Sequence, residues 1–246
     1  MKKLSFLLLF IFIASVVFAQ NTTTNPIATS TPKKIKKDKG DRIVLDIFSD
    51  LWQGTPSIIE VKKFNPSANV LLFKDFPITK SPVSFAVGLG FDAHNFNSNG
   101  VPVYDTSLTK TFFVKLSDTL QDGSDRSYTK NKMTVAYLDL PVEVRFRTMN
   151  ETGKKFKFAI GFKAGILINK HTKYKGKYFE NNEVHNGKTK SHDIKGLEDF
   201  RYGITARVGY GMYNLMFYYS LTSVFAKNKG PQIFPVSVGI SLTPFN

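Results

Sequence analysis

The sequence predicts an all-β chain: an eight-stranded antiparallel up-and-down transmembrane β-barrel with long extracellular loops and short periplasmic turns. Three observations carry that expectation. Apolar residues alternate with small or polar ones in eight segments of roughly ten residues, a period of two that belongs to strands rather than helices. The face opposite the apolar one is rich in glycine, and the links between segments alternate long and short.

Composition sets the frame. With 246 residues and no cysteine, a core must form without disulfides or cysteine-bound metal. Hydrophobic residues at 42% and aromatics at 14%, against 22% charged, exclude a disordered chain and a bundle of membrane helices. The formal charge of +15 would point to nucleic acid in a cytoplasmic protein, but the N-terminus directs the chain elsewhere. Lys2 and Lys3 precede an apolar run from Leu4 to Phe18 that ends at Ala19, the order of a secretory signal peptide. The run is too short for an anchor that must cross about 20 residues of hydrocarbon. Residues 1–19 are therefore expected to be cleaved. Losing two of the 34 basic residues against 19 acidic ones leaves +13, on an exported protein whose basic surface faces anionic lipid, glycolipid or peptidoglycan and no nucleic acid. Residues 20–41 are polar and then basic, with Lys33, Lys34, Lys36, Lys37 and Lys39, and read as a flexible periplasmic leader. Residues 42–246 are left for the barrel.

The strands follow in order. RIVLDIFSDL and ANVLLFKDFPI are less regular. In FAVGLGFDAH, Phe85, Val87, Leu89 and Phe91 oppose Ala86, Gly88, Gly90, Asp92 and His94. TVAYLDLPVEVRFRT is the clearest: Ala136, Leu138, Leu140, Val142, Val144 and Phe146 form one uninterrupted apolar face, against Tyr137, Asp139, Pro141, Glu143, Arg145 and Arg147. KFKFAIGFKAGILIN sets Phe156, Phe158, Ile160, Phe162 and Ile166 against Lys157, Gly161, Lys163 and Gly165. FRYGITARVGY sets Tyr202, Ile204 and Val208 against Arg201, Gly203, Arg207 and Gly209. YNLMFYYSL and FPVSVGISLT complete the eight, with Gly239 on the polar face of the last.

Which face lies inside separates two classes. A soluble sandwich or lipocalin-like barrel would bury the apolar face around a ligand, whereas a membrane barrel turns it to lipid. Glycine decides for the membrane: Gly88, Gly90, Gly161, Gly165, Gly203, Gly209 and Gly239 all lie on the polar face. Solvent gives no reason for glycine in mid-strand, but a narrow eight-stranded interior does. The links agree. Long ones run from Trp52 to Ser67, Asn95 to Met133, Lys170 to Asp199 and Thr222 to Gln232, and they alternate with turns at Thr79 to Ser81, Asn150 to Gly153 and Gly211. With eight strands, both termini fall on the short-turn, periplasmic side. Phe146, Phe156, Phe200, Tyr202, Tyr210, Tyr213, Tyr219 and Phe234 face outward near strand ends, where amphipathic rings favour the interface. Phe245 looks like a terminal assembly aromatic, but strict alternation turns it inward unless Pro244 resets the parity.

DIFSDLWQ, ANVLLFKDFPITKSPVSFAVGLGFDAHN, YLDLPVEVRFR and FKFAIGFKAGILIN, in that order, resemble the small outer-membrane β-barrel domain family common in the Bacteroidota, which includes PorT-like and porin-family small barrels. The resemblance runs from about Arg42 to Phe245, and its most specific pieces are YLDLPVEVRF and the Lys80-Ser81-Pro82 turn. It implies a gram-negative cell outer membrane and, through PorT, a link to type IX secretion. It transfers no catalytic residue.

The remaining chemistry is sparse. Asp46, Asp92, Asp139, Glu143, Arg145, Arg147, Lys157, Lys163, Arg201 and Arg207 point inward, and both signs on neighbouring strands predict cross-strand ion pairs that plug rather than conduct. A lined path for ions is the alternative. Loss of Glu143 or Arg145 alone is expected to destabilise a closed network. His94, His171, His185 and His192 are placed high on the outer side, where Asp92, Glu180, Glu183 and Asp193 could join them in a metal site, although the spacing matches no ligand motif. Asp92, His94 and Ser98 at the rim are the candidates for a lipid-modifying enzyme. Gly88-Leu89-Gly90 is strand interior, not a phosphate loop. The long loops mix Lys, Asp, Asn, Gly and Tyr and suit solvated surface. The sequence thus assigns no catalytic, cofactor or metal residue. It points to a monomeric, non-enzymatic barrel whose partners are outer-membrane lipid, lipopolysaccharide, and other envelope proteins or secretion machinery. A secreted lipocalin-like barrel and a lipid-modifying enzyme stand as alternatives.

Overall fold

A computed structural model describes residues 42–78, 81–148 and 156–244. Residues 1–41, expected to hold a signal peptide and a leader, and Thr79, Lys80, the expected turn at Asn150 to Gly153 and Phe245 lie outside these residues. The described residues form eleven strands: β1 (Ile43–Gln53), β2 (Pro66–Pro77), β3 (Val83–Asn97), β4 (Gly100–Asp105), β5 (Lys110–Lys115), β6 (Tyr128–Arg147), β7 (Phe156–Glu180), β8 (Glu183–Ser191), β9 (Phe200–Tyr210), β10 (Tyr213–Ser220) and β11 (Phe234–Leu242).

Eight of them, β1, β2, β3, β6, β7, β9, β10 and β11, hydrogen-bond in sequence, and the pairing of β6 with β7 closes the ring. Every pairing is antiparallel. Closure leaves no edge among the eight, so the backbone groups of this zone are paired without water. These are the eight segments read from the alternation. The other three strands arise inside the long links: β4 pairs with β5 as a separate hairpin, and β8 pairs only with β7. β8 is polar on both faces, and β4 and β5 are short, with adjacent apolar residues such as Phe112, Phe113 and Val114, so none of the three stands out by alternation. The tight turn of the β7–β8 hairpin is nevertheless written in the chain as Asn181-Asn182, both at positive φ (52° and 66°), as a primed two-residue turn requires. Gly211, at φ 62°, opens the equally short β9–β10 turn.

The ring is inverted relative to a soluble protein. Ile47, Phe91 and Leu215 are more than 60% exposed, while Asp46, Asp92, Asp139 and Glu143 are 2% exposed or less. That ordering removes the lipocalin-like alternative, which needs the apolar face inside. On β6 the outward row from Leu138 to Phe146 covers about 27 Å of strand, which at the usual tilt gives roughly 20 Å of height, close to the apolar band of a membrane barrel. Val236, which alternation in FPVSVGISLT puts on the apolar face with Val238 and Ile240, is instead buried.

The long links all lie at one end, and the described chain ends lie at the other, where Leu45 pairs with Leu242. Contrary to their solvated composition, the links fold over the mouth of the ring. Lys62 N donates to the Asn97 carbonyl (2.8 Å), Thr111 N to Lys229 (2.8 Å), Glu198 N to Val224 (2.9 Å) and Val224 N to Ile233 (2.9 Å). Ile59, Phe113, Ile194, Leu197, Val224, Phe225 and Ile233 then meet Trp52, Phe96, Met133 and Tyr137 in one apolar cluster.

Inward glycines make room for side chains from neighbouring strands. A Cβ on Gly165 would overlap Asp139 Oδ1, and one on Gly203 would meet the Tyr218 ring at 2.5 Å. Gly165→Val is expected to lower the temperature at which the folded form is lost in mild detergent, by at least the 1–3 kcal/mol typical of overpacking. Leu140→Val, on the outward face of β6, should leave that temperature nearly unchanged; equal shifts would refute the cramped interior.

Candidate functional site in the ring interior

All ten charged residues predicted to point inward are buried, and they sort into two tiers. In the tier nearer the chain ends, Arg207 on β9 bridges two strands: Nη2 donates to Asp46 Oδ2 on β1 (3.0 Å) and Nη1 to Glu143 Oε1 on β6. Arg145 Nε donates to the other Glu143 oxygen (2.8 Å) and its Nη1 to Asp75 Oδ1 on β2 (2.6 Å). Arg147 Nη2 completes the chain at Asp75 Oδ2 (2.5 Å). Three carboxylates thus face three guanidiniums, and the Arg145 guanidinium lies 4.0 Å from the centre of the Phe73 ring. Lys157 Nζ donates to Thr243 Oγ1 (3.1 Å).

The second tier is nearer the loops. Arg201 on β9 donates from Nη2 to Asp139 Oδ2 (2.6 Å) and Asp92 Oδ2 (2.8 Å), and lies 3.9 Å from the centre of the Tyr137 ring. Lys163 Nζ joins both carboxylates, at 3.4 Å from Asp139 Oδ2 and in close contact with Asp92 Oδ2. His94 stands between two acids: Nδ1 meets Asp50 Oδ2 at 2.9 Å, and Nε2 faces Arg201 Nη1 at 2.5 Å and Asp92 Oδ2 at 3.3 Å. Asp50 also accepts from Ser237 Oγ (2.6 Å) and Ser67 Oγ (2.7 Å). In a low-dielectric interior a charge persists only when paired and hydrogen-bonded, and each charged member of this tier has an opposite charge beside it, although Asp92 Oδ1 is buried without a hydrogen-bond partner.

Above it, the link cluster closes the mouth with a file of rings. Trp52 and Phe96 are 4.9 Å apart, Phe96 and Phe113 5.3 Å, and Phe113 and Phe225 5.8 Å, with edge-to-face or tilted geometry. Among the described residues, a cavity of about 20 Å³ lies beside Glu143 and Arg207 and one of about 10 Å³ beside His94 and Arg201, each about the size of a water molecule.

A lipid-facing outside, a closed ring of eight strands and a charge-paired inside together describe a membrane-embedded barrel, and comparison with known proteins gives the same answer. Residues 47–226 match the outer membrane protein beta-barrel domain. The chain belongs to that family. No curated protein matches it. Two solved mutants of the porin of Rh. blastica each share 11% identity, with 81% of this chain and 98% of theirs covered, at a TM-score of 0.21. At that score the likeness describes no common shape, so the assignment rests on the family match and on the sheet itself.

Within the outer-membrane barrel, the remaining candidate residues separate. His94 is not on the outer surface but inside, away from the loop histidines. His171 and His192 face each other with ring centres 5.6 Å apart, and His185 lies 3.9 Å from Glu183 at the β7–β8 hairpin. Among the described residues no three potential ligands gather around one point. Asp92 and His94 do meet, but Ser98 Oγ pairs with the Gly100 backbone, so the rim triad is not assembled. Asp50 and Asp75 were missed by the sequence reading. Both sit on strands whose inward faces mix acids with Val44, Phe48, Leu71 and Phe73, which blurs the alternation. The readable signal was parity, since Asp50 follows Asp46 by four residues and Asp75 aligns with Phe73 and Leu71.

Arg201→Met leaves Asp139 with Lys163 and Asp92 with Lys163 and His94, and is expected to cost about 3–5 kcal/mol, read as a lower unfolding temperature in detergent. Glu143→Gln should act in the same direction by removing the negative charge that Arg207 and Arg145 share, leaving them only Asp46 and Asp75. Arg201→Met together with Asp139→Asn should cost less than the sum of the single changes. Additivity, or single variants as stable as the parent, would mean a hydrated interior with no closed network.

Proposed function

We propose that this outer-membrane protein is a monomeric, non-enzymatic barrel with a structural or interaction role, in which the interior is a plug and the loop side is the working surface. The observation that carries the reading is the filling of the interior at successive levels among the described residues: two tiers of paired charges beneath an apolar cap, with cavities of only about 20 and 10 Å³ beside the charges. An open channel needs a continuous wet path, and the Trp52–Phe96–Phe113–Phe225 file crosses where that path would emerge. The short turns and both termini are assigned to the periplasm and the folded links to the outside, following the long-loop rule for membrane barrels.

The non-enzymatic reading is supported by the state of His94. Both ring nitrogens are engaged, by Asp50 on one side and by Arg201 and Asp92 on the other, so neither is free to take a proton from Ser98 or a bound water. The partners proposed are outer-leaflet lipid and other envelope proteins. The YLDLPVEVRF and Lys80-Ser81-Pro82 resemblance adds a narrower version, a PorT-like component of type IX secretion in a Bacteroidota envelope; deletion of the gene should then reduce secreted cargo, and unchanged cargo would remove that version alone.

The purified protein is expected to change gel mobility on boiling, as closed membrane barrels do, and to give no steady conductance in a planar bilayer. Recovery in the soluble fraction without a shift would overturn the membrane barrel. Porin-like conductance from the folded form would overturn the plug.

A further inference from the structure

Above the apolar belt, β6, β7 and β8 continue as a three-stranded extension, and its outward face carries a feature the interior does not explain. Lys132 pairs with Lys173, which pairs with Lys190; one step further, Lys130 pairs with Lys175, which pairs with Lys188. Residues directly opposite in an antiparallel sheet point the same way, as do residues two apart on one strand. Six ammonium groups therefore stand on one face in two rows of three. The face is the outward one: Lys130 and Lys132 share the parity of Leu138, Leu140 and Val144 on β6, while Asn131, Met133 and Val135 between them are buried.

Among the described residues no carboxylate pairs with any of the six; Lys132 Nζ donates to Asn95 Oδ1. Like charges opposite one another destabilise a sheet, and the repulsion is visible in the titration of the group. Lys173 is held below its ordinary value by Lys188 first, then by burial and by Lys130, Lys190 and Lys175. Lys132 is lowered by burial first and then by Lys130 and Lys173. His171, on the same face, is lowered by burial and then by Lys190, Lys132, His192 and Lys173. A fold gains nothing from such a lattice unless an anion sits on it.

The height of the array selects the anion. Six residues separate Leu138 from Lys132, about 20 Å of strand and roughly 15 Å of height at the usual tilt. The polar zone of a phospholipid leaflet reaches only about 5–8 Å beyond the hydrocarbon. The lysines thus stand at the level of the sugars of an outer-leaflet glycolipid, on the side of the barrel that such a lipid adjoins. We propose that the face formed by Lys130, Lys132, Lys173, Lys175, Lys188 and Lys190 is a docking surface for the phosphorylated saccharide headgroup of outer-leaflet glycolipid. The proposal rests on the outer-membrane barrel and its loop-outward orientation.

The test uses the full folded protein in mild detergent, with micelles of phosphorylated lipopolysaccharide as the probe. Replacing all six lysines by Gln is expected to weaken binding at least tenfold while keeping the boiling-dependent mobility shift, and to leave the unfolding temperature unchanged or higher because the repulsion is gone. A control replacing the exposed loop residues Lys62, Lys63, Lys110, Lys115, Lys227 and Lys229 by Gln removes the same charge and should bind like the parent. Parent binding should fall steeply with salt and with chemical dephosphorylation of the lipopolysaccharide. Unchanged binding by the array variant, an equal loss in the control, or pyrophosphate bound as tightly as the glycolipid would each overturn the proposal. If the sixfold variant fails to fold, the threefold variants of each row carry the same comparison. Absence of the mobility shift in the parent would instead overturn the barrel reading on which the proposal stands.

Discussion

A sheet of eight strands that closes on itself encloses very little space, and when its outer surface is given to lipid that small interior must hold every polar group the outside refuses. The rest of the structure depends on this constraint. It explains why glycine lies on the inward face, where Gly161 and Gly165 leave room for Glu143 and Asp139. It also explains why the charges occur in near-equal numbers of each sign, since a single uncompensated ion in so narrow a volume would cost more than the sheet could offset.

The two tiers of ion pairs have different roles in closing the ring. Arg207 joins β9 to β1 and β6, and Arg145 and Arg147 carry the connection to β2. Arg201 joins β9 to β3 and β6, while His94 and Asp50 tie β3 to β1 and Ser237 brings in β11. Apart from the Ser237–Asp50 bond between the paired strands β11 and β1, these contacts run across the interior rather than around it, so they brace strands that share no backbone hydrogen bonds. The cap adds a third level by a different means, apolar burial against Trp52, Phe96 and Tyr137. The contrast follows from position: the tiers sit amid paired backbone at membrane depth, whereas the links emerge into water and can gain from ordinary hydrophobic association.

The same logic gives the outside its two zones. Lipid tolerates Ile47, Phe91 and Leu215 in full exposure, and beyond the belt the outward parity of β6 and β7 turns from apolar to basic without a break in the strands. A β-bulge between Ala136 and Tyr137, where two residues of β7 face one of β6, keeps the lysine positions of both strands on the outward side. One pair of strands thus serves lipid tails below and a polar layer above.

Alternation, together with glycine on the polar face and links that alternate long and short, determined the class of this protein. The eight ring strands, the inward set from Asp46 to Arg207 and the outward apolar faces were all legible, because in a strand the side of the sheet is fixed by counting in twos. Counting also failed in a predictable way. Asp50 and Asp75 sit among inward apolar neighbours, β8 is polar on both faces, and the apolar residues of the links, such as Ile59, Phe113 and Phe225, fall in runs of two or three with no period to reveal them. Only the tertiary structure decided that these scattered residues meet over the mouth of the ring, that His94 lies between Asp50 and Arg201 instead of on the surface, and that six lysines from three strands share one face. The physical reason is common to all three. Pattern along the chain reports which side a residue takes, but which residues become neighbours across the ring or between its links depends on register and closure, and those exist only once the sheet is formed.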